Sequence, residues 1–224
     1  MHVTLAEEIM LLSLDDESGQ AKDRWTVGWV VAGGLLLELA LAERVRVDGG
    51  RVEVLDTSRT GEALLDVQLE ALADWAGSAR TATVAAWLRK DQSKSVAATL
   101  ENLRWRGIVT EERRRVFGIF PVRRFPEADG TVERELRERL DRVVLEGAAP
   151  DPRTSGLIGL LHGARMHRLA FPGEPRKRVE PRMAAIAEGQ WAADAVQETI
   201  RATQVAIIAA TTAATAAAAA AAAS

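Results

Sequence analysis

The sequence predicts a mainly α-helical fold, with a central helical bundle surrounded by amphipathic helices and two short peripheral β-hairpins. Three observations support this fold class. Apolar residues occupy almost every helical face between Trp29 and Leu41, which is typical of a helix enclosed by other helices. Several later segments repeat apolar residues at helical spacing, and two short stretches place apolar residues on both sides of a polar turn. With 47% hydrophobic residues, the chain has enough apolar side chains for a core.

The apolar run at residues 25–45 is short for a membrane span. Only twelve uncharged residues, Thr26 to Leu37, precede the carboxylate of Glu38, whereas a spanning helix needs roughly 20. We therefore interpret the run as the central helix of the bundle. Its two adjacent glycines, Gly33 and Gly34, each cost roughly 1 kcal/mol of helix stability relative to alanine. They predict a close approach by a neighbouring helix or a ligand.

The N-terminal half divides into further elements. Thr4 and Glu7 have the spacing of a capping box that opens a first helix. Residues 45–54 alternate apolar and charged side chains around Asp48-Gly49-Gly50, which predicts a hairpin with a tight turn. Helical spacing resumes at 62–76. Two more helices are expected near 80–90 and 94–106, separated by polar residues 91–93.

The C-terminal half begins with a second hairpin, in which Ile108 and Val109 are expected to face residues 116–120 across a charged turn. An amphipathic helix follows from Thr131 to Leu145. A single domain over residues 1–213 and a low-complexity alanine tail over 214–224 are expected. The remaining segments are predicted as a linker at 147–156, a helix at 157–169 and a last helix starting near 182 or after 189.

The last 23 residues, 202–224, carry no charge, and two interpretations are open. A membrane anchor would need strongly apolar side chains, yet the tail contains only Val205, Ile207 and Ile208 of that kind. Alanine contributes little to membrane insertion. A final core helix followed by a frayed alanine extension is therefore favoured over an anchor.

Composition and motifs argue against enzymatic, metal-binding and secreted classes. The chain has no cysteine, and His162 and His167 are five residues apart, so they do not have the spacing of a helical metal pair. No phosphate-binding glycine loop or nucleophile elbow is present, and no cofactor is expected. The N-terminus lacks the pattern of a signal peptide, which favours a cytoplasmic location. Arginine and alanine are abundant, as in proteins of GC-rich bacteria.

The global charge of −3 does not indicate an anionic partner, so an anion-binding surface must be local. Residues 104–124 form such a surface, with seven arginines against two glutamates. Helix, turn, helix and basic hairpin is also the outline of a winged helix-turn-helix, which would use Arg113, Arg114 and Arg115 on nucleic acid. Alternatively, arginine beside tryptophan, as in Arg24 and Trp25, suits an anionic lipid headgroup.

The ordered ensemble of segments resembles the Golgi phosphoprotein 3 family over residues 3–213. The resemblance rests on LAEEIMLLSLDDESG, GGLLLELALAERVRVDGGRVEV, ALLDVQLEAL, LENLRWRGIVTEERRRVFGIF, DPRTSGLIGLLHGARMHRLAF and TQVAIIAAT. It implies a helical domain that binds phosphatidylinositol 4-phosphate and acts as a peripheral membrane adaptor without catalytic activity. Such a protein would stay on the cytoplasmic face of its membrane and hold a protein cargo.

The resemblance also points to headgroup contacts. The family's tryptophan before the core helix corresponds to Trp25 after a two-residue shift, next to Arg24. Its basic residue ahead of the glycine falls on Ala32, and the later basic positions fall near Glu135 and Glu138. Arg134 and Arg137 adjoin these positions. The predicted headgroup contacts are therefore Arg24, Trp25, Arg134 and Arg137.

Three functional hypotheses follow from the sequence. The first is a phosphoinositide-binding peripheral adaptor. The second is a winged-helix-like nucleic-acid binder that uses residues 104–124, and the third is a helical scaffold that binds a protein. The oligomeric state is left open.

Overall fold

The computed structural model describes residues 3–14, 24–116, 120–126, 128, 130–189 and 195–222. The described chain is mainly helical, with two separate two-stranded antiparallel hairpins. This confirms the predicted fold class. The helices are α1 (Leu5–Ser13), α2 (Arg24–Leu41), α3 (Ala63–Ser78), α4 (Val84–Trp105), α5 (Thr131–Val144), α6 (Pro152–Gly163), α7 (His167–Ala170), α8 (Arg176–Ala187) and α9 (Ala195–Ala222), and the strands are β1 (Val45–Asp48), β2 (Arg51–Val54), β3 (Glu112–Val116) and β4 (Phe120–Arg124).

Helix α2 is the centre of the bundle and packs against α1, α4, α6 and α9. Its glycines allow two of these approaches. A Cβ on Gly33 would lie 2.5 Å from Cγ2 of Ile207 in α9, and a Cβ on Gly34 would lie 3.2 Å from the amide nitrogen of Ala6 in α1. The prediction that these glycines admit a close neighbour is therefore confirmed, and both neighbours are helices.

The first hairpin forms as the alternation predicts. Val45 and Val47 of β1 are buried and alternate with exposed Arg46 and Asp48. Asp48 pairs with Arg51, so Gly49 and Gly50 form a two-residue turn. Both glycines have positive φ (53° and 76°), the conformation that such a turn requires.

The expected break at residues 91–93 is absent, because α4 is one continuous helix of 22 residues. Asp91 is buried there and accepts hydrogen bonds from Gln68 Nε2 and Ser95 Oγ, both at 2.5 Å. Its polar side chain therefore joins α4 to α3 and does not interrupt the helix. The helix-turn-helix expected from two helices on either side of residues 91–93 is therefore not formed.

The second hairpin exists, but its predicted register is wrong. The charged residues 112–115, which were expected in the turn, belong to β3. Val116 pairs with Phe120 across residues 117–119, which lie outside the described residues. Ile108 precedes the hairpin, where its carbonyl accepts a hydrogen bond from the amide of Ala128.

The linker expected at 147–156 is also partly wrong, because α6 begins at Pro152. Asp151 caps this helix by accepting hydrogen bonds from the amide and hydroxyl of Thr154, at 2.9 and 2.5 Å. Of the two starts expected for the last helix, the one after residue 189 is confirmed, because α9 begins at Ala195, and residues near 182 belong to a separate helix, α8.

The alanine tail continues α9 as a helix to Ala222, so the expected frayed extension is not observed. Alanine has the highest helix propensity, which explains why the exposed residues 216–221 are helical. In the described part of the chain, Arg201–Ala221 is one helical stretch long and apolar enough to cross a membrane. Its inner half is part of the bundle, since Thr203, Gln204 and Ile207 are buried.

Candidate functional site

A cleft of about 440 Å³ lies between the end of α1 and the outer side of α5. Apolar side chains form one part of its wall and charged side chains of α5 form the other. The lining residues are Leu11, Leu14, Phe125, Pro126, Gly130, Glu133, Arg134, Arg137, Glu138 and Asp141. Two of the four predicted headgroup residues, Arg134 and Arg137, thus meet at one site.

The sequence of α5 explains why its charged side faces outward. Gly130, with φ at 69°, turns the chain into the helix. Leu136, Leu140 and Val143 are buried against the bundle. Because these positions form one helical stripe, the intervening charged residues are left on the outside.

Arg134 is exposed on the wall of the cleft. Its Nη2 donates a hydrogen bond to the hydroxyl of Thr131 at 3.2 Å. Within the described residues, no carboxylate forms an ion pair with it. A guanidinium in this state keeps most of its donors for a ligand, and guanidinium groups bind phosphate in a bidentate geometry.

Arg137 has a different environment, because its donors are already used. Its Nε donates to Glu133 Oε1 at 2.7 Å, and its Nη1 donates to the carbonyl oxygens of Leu169 and Ala170 at 2.9 and 3.0 Å. These two carbonyls belong to the short helix α7. Arg137 therefore joins α5 to α7, a structural use that helical spacing alone did not indicate.

Three carboxylates share the cleft with these arginines. Glu133 is neutralised by Arg137, and Glu138 is exposed. Partial burial raises the pKa of Asp141, and the neighbouring Arg137 opposes this shift. The cleft is thus a mixed surface in which Arg134 is the cation without a carboxylate partner in the described part of the chain.

The other two predicted contacts cannot be placed at the cleft. Helix α2 begins at Arg24, but the side chains of Arg24 and Trp25 lie outside the described residues. Ala32 is fully buried in the bundle. Glu135 is exposed on α5 but does not line the cleft.

The basic hairpin leads directly into the cleft, since Phe125 and Pro126 follow the last residue of β4. The register of the hairpin pairs Arg113 with Arg123. Like charges at opposing positions destabilise a two-stranded sheet unless an anion compensates them.

The sequence did not reveal a buried ionic cluster around Glu8. Glu8 pairs with Arg139 and Arg153, and Arg153 also pairs with Glu38. Glu7 forms a separate ion pair with Arg106. The capping box expected from Thr4 and Glu7 is formed. Glu8 does not cap the helix but is buried. The sequence feature that could have indicated this cluster is the presence of carboxylates within the apolar runs of α1 and α2.

A second cleft, of about 630 Å³, lies along the outer face of α3. Asp66, Glu70 and Asp74 line it with one arginine, Arg59. Its excess of carboxylates is opposite to what an anionic ligand requires. No group of three or more acidic, histidine or cysteine side chains arranged for a metal ion occurs among the described residues.

Comparison with known proteins identifies the family. The sequence profile of Golgi phosphoprotein 3 (GPP34) matches residues 5–203. The chain belongs to the Golgi phosphoprotein 3 family. This confirms the resemblance drawn from the ordered segments, which extends from α1 into α9.

A curated relative agrees with this assignment. The chain is 29% identical to vacuolar protein sorting-associated protein 74 of Eremothecium gossypii over 168 residues. The alignment covers 64% of this chain and 49% of that protein. This member of the Golgi phosphoprotein 3 family thus spans about half the length of the curated relative it matches.

Proposed function

We propose that this Golgi phosphoprotein 3 family protein is a non-enzymatic peripheral membrane adaptor that binds an anionic lipid headgroup at the cleft between α1 and α5. The observation that carries the proposal is Arg134, an exposed guanidinium on the cleft wall without a carboxylate partner among the described residues. Phosphatidylinositol 4-phosphate is the headgroup that the family resemblance implies.

The apolar part of the wall supports a lipid ligand over a free anion. Leu11, Leu14 and Phe125 line the cleft beside Arg134. A lipid at a membrane surface presents a phosphate next to acyl chains, so a site with both a guanidinium and apolar side chains matches both parts.

The basic hairpin supports contact with an anionic surface around the bound headgroup. Basic residues near an anionic bilayer each contribute roughly 1 kcal/mol of attraction. Because β4 leads into the cleft through Phe125, a membrane that reaches Arg134 would also meet the hairpin. Arg24 and Trp25 remain proposed contacts at the start of α2, and Arg137 contributes by holding the wall in place.

Vesicle co-sedimentation tests the proposal. Neutral phosphatidylcholine vesicles are compared with the same vesicles containing phosphatidylinositol 4-phosphate, and with vesicles containing phosphatidylglycerol. We expect the protein to pellet with the anionic vesicles, most strongly with the phosphoinositide. Equal pelleting with neutral and anionic vesicles would disprove headgroup binding.

Two variants locate the site. Arg134→Ala should weaken phosphoinositide-dependent pelleting without changing thermal stability, because its side chain is exposed. Arg46→Ala serves as the matched control, because it removes an exposed arginine from the hairpin of β1 and β2 and changes the net charge by the same amount. If the two variants pellet alike, the cleft is not the headgroup site. Binding to duplex DNA at low salt would instead favour the nucleic-acid hypothesis for the basic hairpin.

A further inference from the structure

Glu8 connects three helices through one buried oxygen. Its side chain lies on α1 and is 3% exposed. Oε1 is 2.9 Å from Nη2 of Arg139 on α5 and 2.7 Å from Nη1 of Arg153 on α6. The carboxylate therefore ties α1, which supplies Leu11 and leads into Leu14, to α5, which supplies Arg134.

Apart from the ion pair of Glu8 with Arg139, α1 has few contacts with α5, and most of its packing is on α2. The two walls of the cleft consequently depend on a small number of links for their separation. Arg139 follows Arg134 by five residues in the same helix, so a shift of Arg139 moves the guanidinium of Arg134 with the helix backbone.

The cluster is not arranged for greatest stability. Among the described residues, Glu8 Oε2 and Arg139 Nε are buried without a hydrogen-bond partner, and Arg139 Nη2, although 2.9 Å from Glu8 Oε1, is not aligned for a hydrogen bond to it. Burying such charges carries a desolvation penalty that their attraction offsets only when every polar atom is satisfied. Well-packed apolar residues would fill the same space at lower cost, which favours a role in geometry over a role in stability.

We propose that Glu8 is a positioning residue of the cleft, whose ion pair with Arg139 fixes the distance between α1 and the face of α5 that carries Arg134. The expected effect on headgroup affinity rests on the proposed function of the cleft. It names no new ligand contact, since Glu8 and Arg139 act through the helices that they join.

The test replaces the ion pair by apolar side chains of similar size, Glu8→Leu with Arg139→Met. Arg153 keeps Glu38 and the carbonyl of Val3 as partners, so no buried charge is left alone. Replacing a buried ion pair in this way is often neutral or stabilising. We expect unchanged or higher thermal stability, faster hydrogen exchange of the α5 amides, and about tenfold weaker binding of soluble glycerophosphoinositol 4-phosphate.

The matched control is Glu7→Gln with Arg106→Met, which removes the ion pair between α1 and the residue that follows α4. Glutamine can still close the capping box. This control should leave α5 exchange and headgroup affinity unchanged. If the variant Glu8→Leu with Arg139→Met does not fold, Glu8→Asp replaces it, because it shortens the side chain by one methylene. It should also give faster exchange of the α5 amides and weaker headgroup binding, with smaller changes.

The outcomes separate the inference from the function on which it rests. Wild-type headgroup affinity and wild-type α5 exchange in the apolar pair would overturn the positioning role, even if Arg134→Ala abolishes binding. If the wild-type protein binds no headgroup, the proposed function fails, and the positioning role of Glu8 is then tested by hydrogen exchange alone. Faster exchange in α5 then supports the positioning role, and unchanged exchange overturns it.

Discussion

Glu38 of α2 and Arg153 of α6 form a buried ion pair, with 2.9 Å between Glu38 Oε1 and Arg153 Nε. The second carboxylate oxygen of Glu38 accepts a hydrogen bond from the amide of Leu5, and Arg153 also donates to the carbonyl of Val3. The single carboxylate within the apolar run of α2 thus anchors the start of α1. This explains how a charged residue is kept within the central helix of the bundle.

Replacing Arg153 should be strongly destabilising. Arg153→Met leaves Glu8 with Arg139 but leaves Glu38 buried with no cation in the described structure, and an uncompensated buried charge costs about 3–5 kcal/mol. Urea unfolding at neutral pH measures the loss. Arg176→Met is the control, because Arg176 pairs with Glu180 on the surface and should cost less than about 1 kcal/mol. Equal effects of the two variants would contradict the prediction.

The free energy of unfolding should depend on pH through Glu38. Burial raises the pKa of the Glu38 carboxyl above its ordinary value of 4.5, although Arg153 and the Leu5 amide oppose the shift. The native state therefore binds this proton more tightly than the unfolded chain. The contribution of this protonation to stability is complete at a pH below the pKa of Glu38 in the unfolded chain. It is lost as the pH rises through the pKa of Glu38 in the folded protein.

Comparison with Glu38→Gln isolates this effect from other carboxylates. We expect the stability of the wild type minus that of the variant to fall as the pH is raised from about 4 to about 7. Urea unfolding of both proteins at each pH provides the measurement. A difference that stays constant or increases with pH would show that burial does not dominate the Glu38 pKa.

The sequence was sufficient for elements whose cause is local. The two-residue turn at Gly49 and Gly50 and the capping box at Thr4 depend on neighbouring residues, and both formed as expected. The break expected at Asp91 failed because its side chain bonds to Gln68, which is 23 residues away. Secondary-structure propensity depends on residues that are neighbours in the sequence, so it does not include a partner that comes close only in the folded protein.

The candidate site was predictable to the same limited extent. Arg134 and Arg137 were correctly placed on one helix, and both line the cleft. Their different states depend on α7, whose carbonyls at Leu169 and Ala170 take the donors of Arg137. The ionic cluster around Glu8 was missed for the same reason, since its arginines come from distant segments.

The glycine at position 33 should not tolerate a side chain. In Gly33→Ala, the new Cβ would lie 2.5 Å from Cγ2 of the buried Ile207, and overpacking of this kind costs about 1–3 kcal/mol. Thermal unfolding measures the effect. Gly77→Ala is the control, because no atom lies within 4 Å of its added Cβ, and alanine should stabilise α3 by about 0.5–1 kcal/mol.

A double replacement tests whether Ile207 causes the strain. Ile207→Ala removes the Cγ2 that Gly33→Ala would meet, so the two substitutions together should cost less than the sum of their separate effects. Additive effects would mean that the strain of Gly33→Ala arises elsewhere on α2.

The outer end of α9 should contribute little to the stability of the fold. Residues 216–221 are exposed, whereas Thr203, Gln204 and Ile207 are buried in the bundle. Removing residues 216–224 should leave the melting temperature within about 2 °C of the full-length value, because residues 216–221, the part of this stretch whose burial is described, are all exposed. Removing residues 202–224 should instead prevent folding, since Gln204 loses its hydrogen bond to the carbonyl of Gly156 and Ile207 leaves the space above Gly33. A large loss of stability from the shorter deletion would show that the exposed alanine helix packs on the bundle in solution.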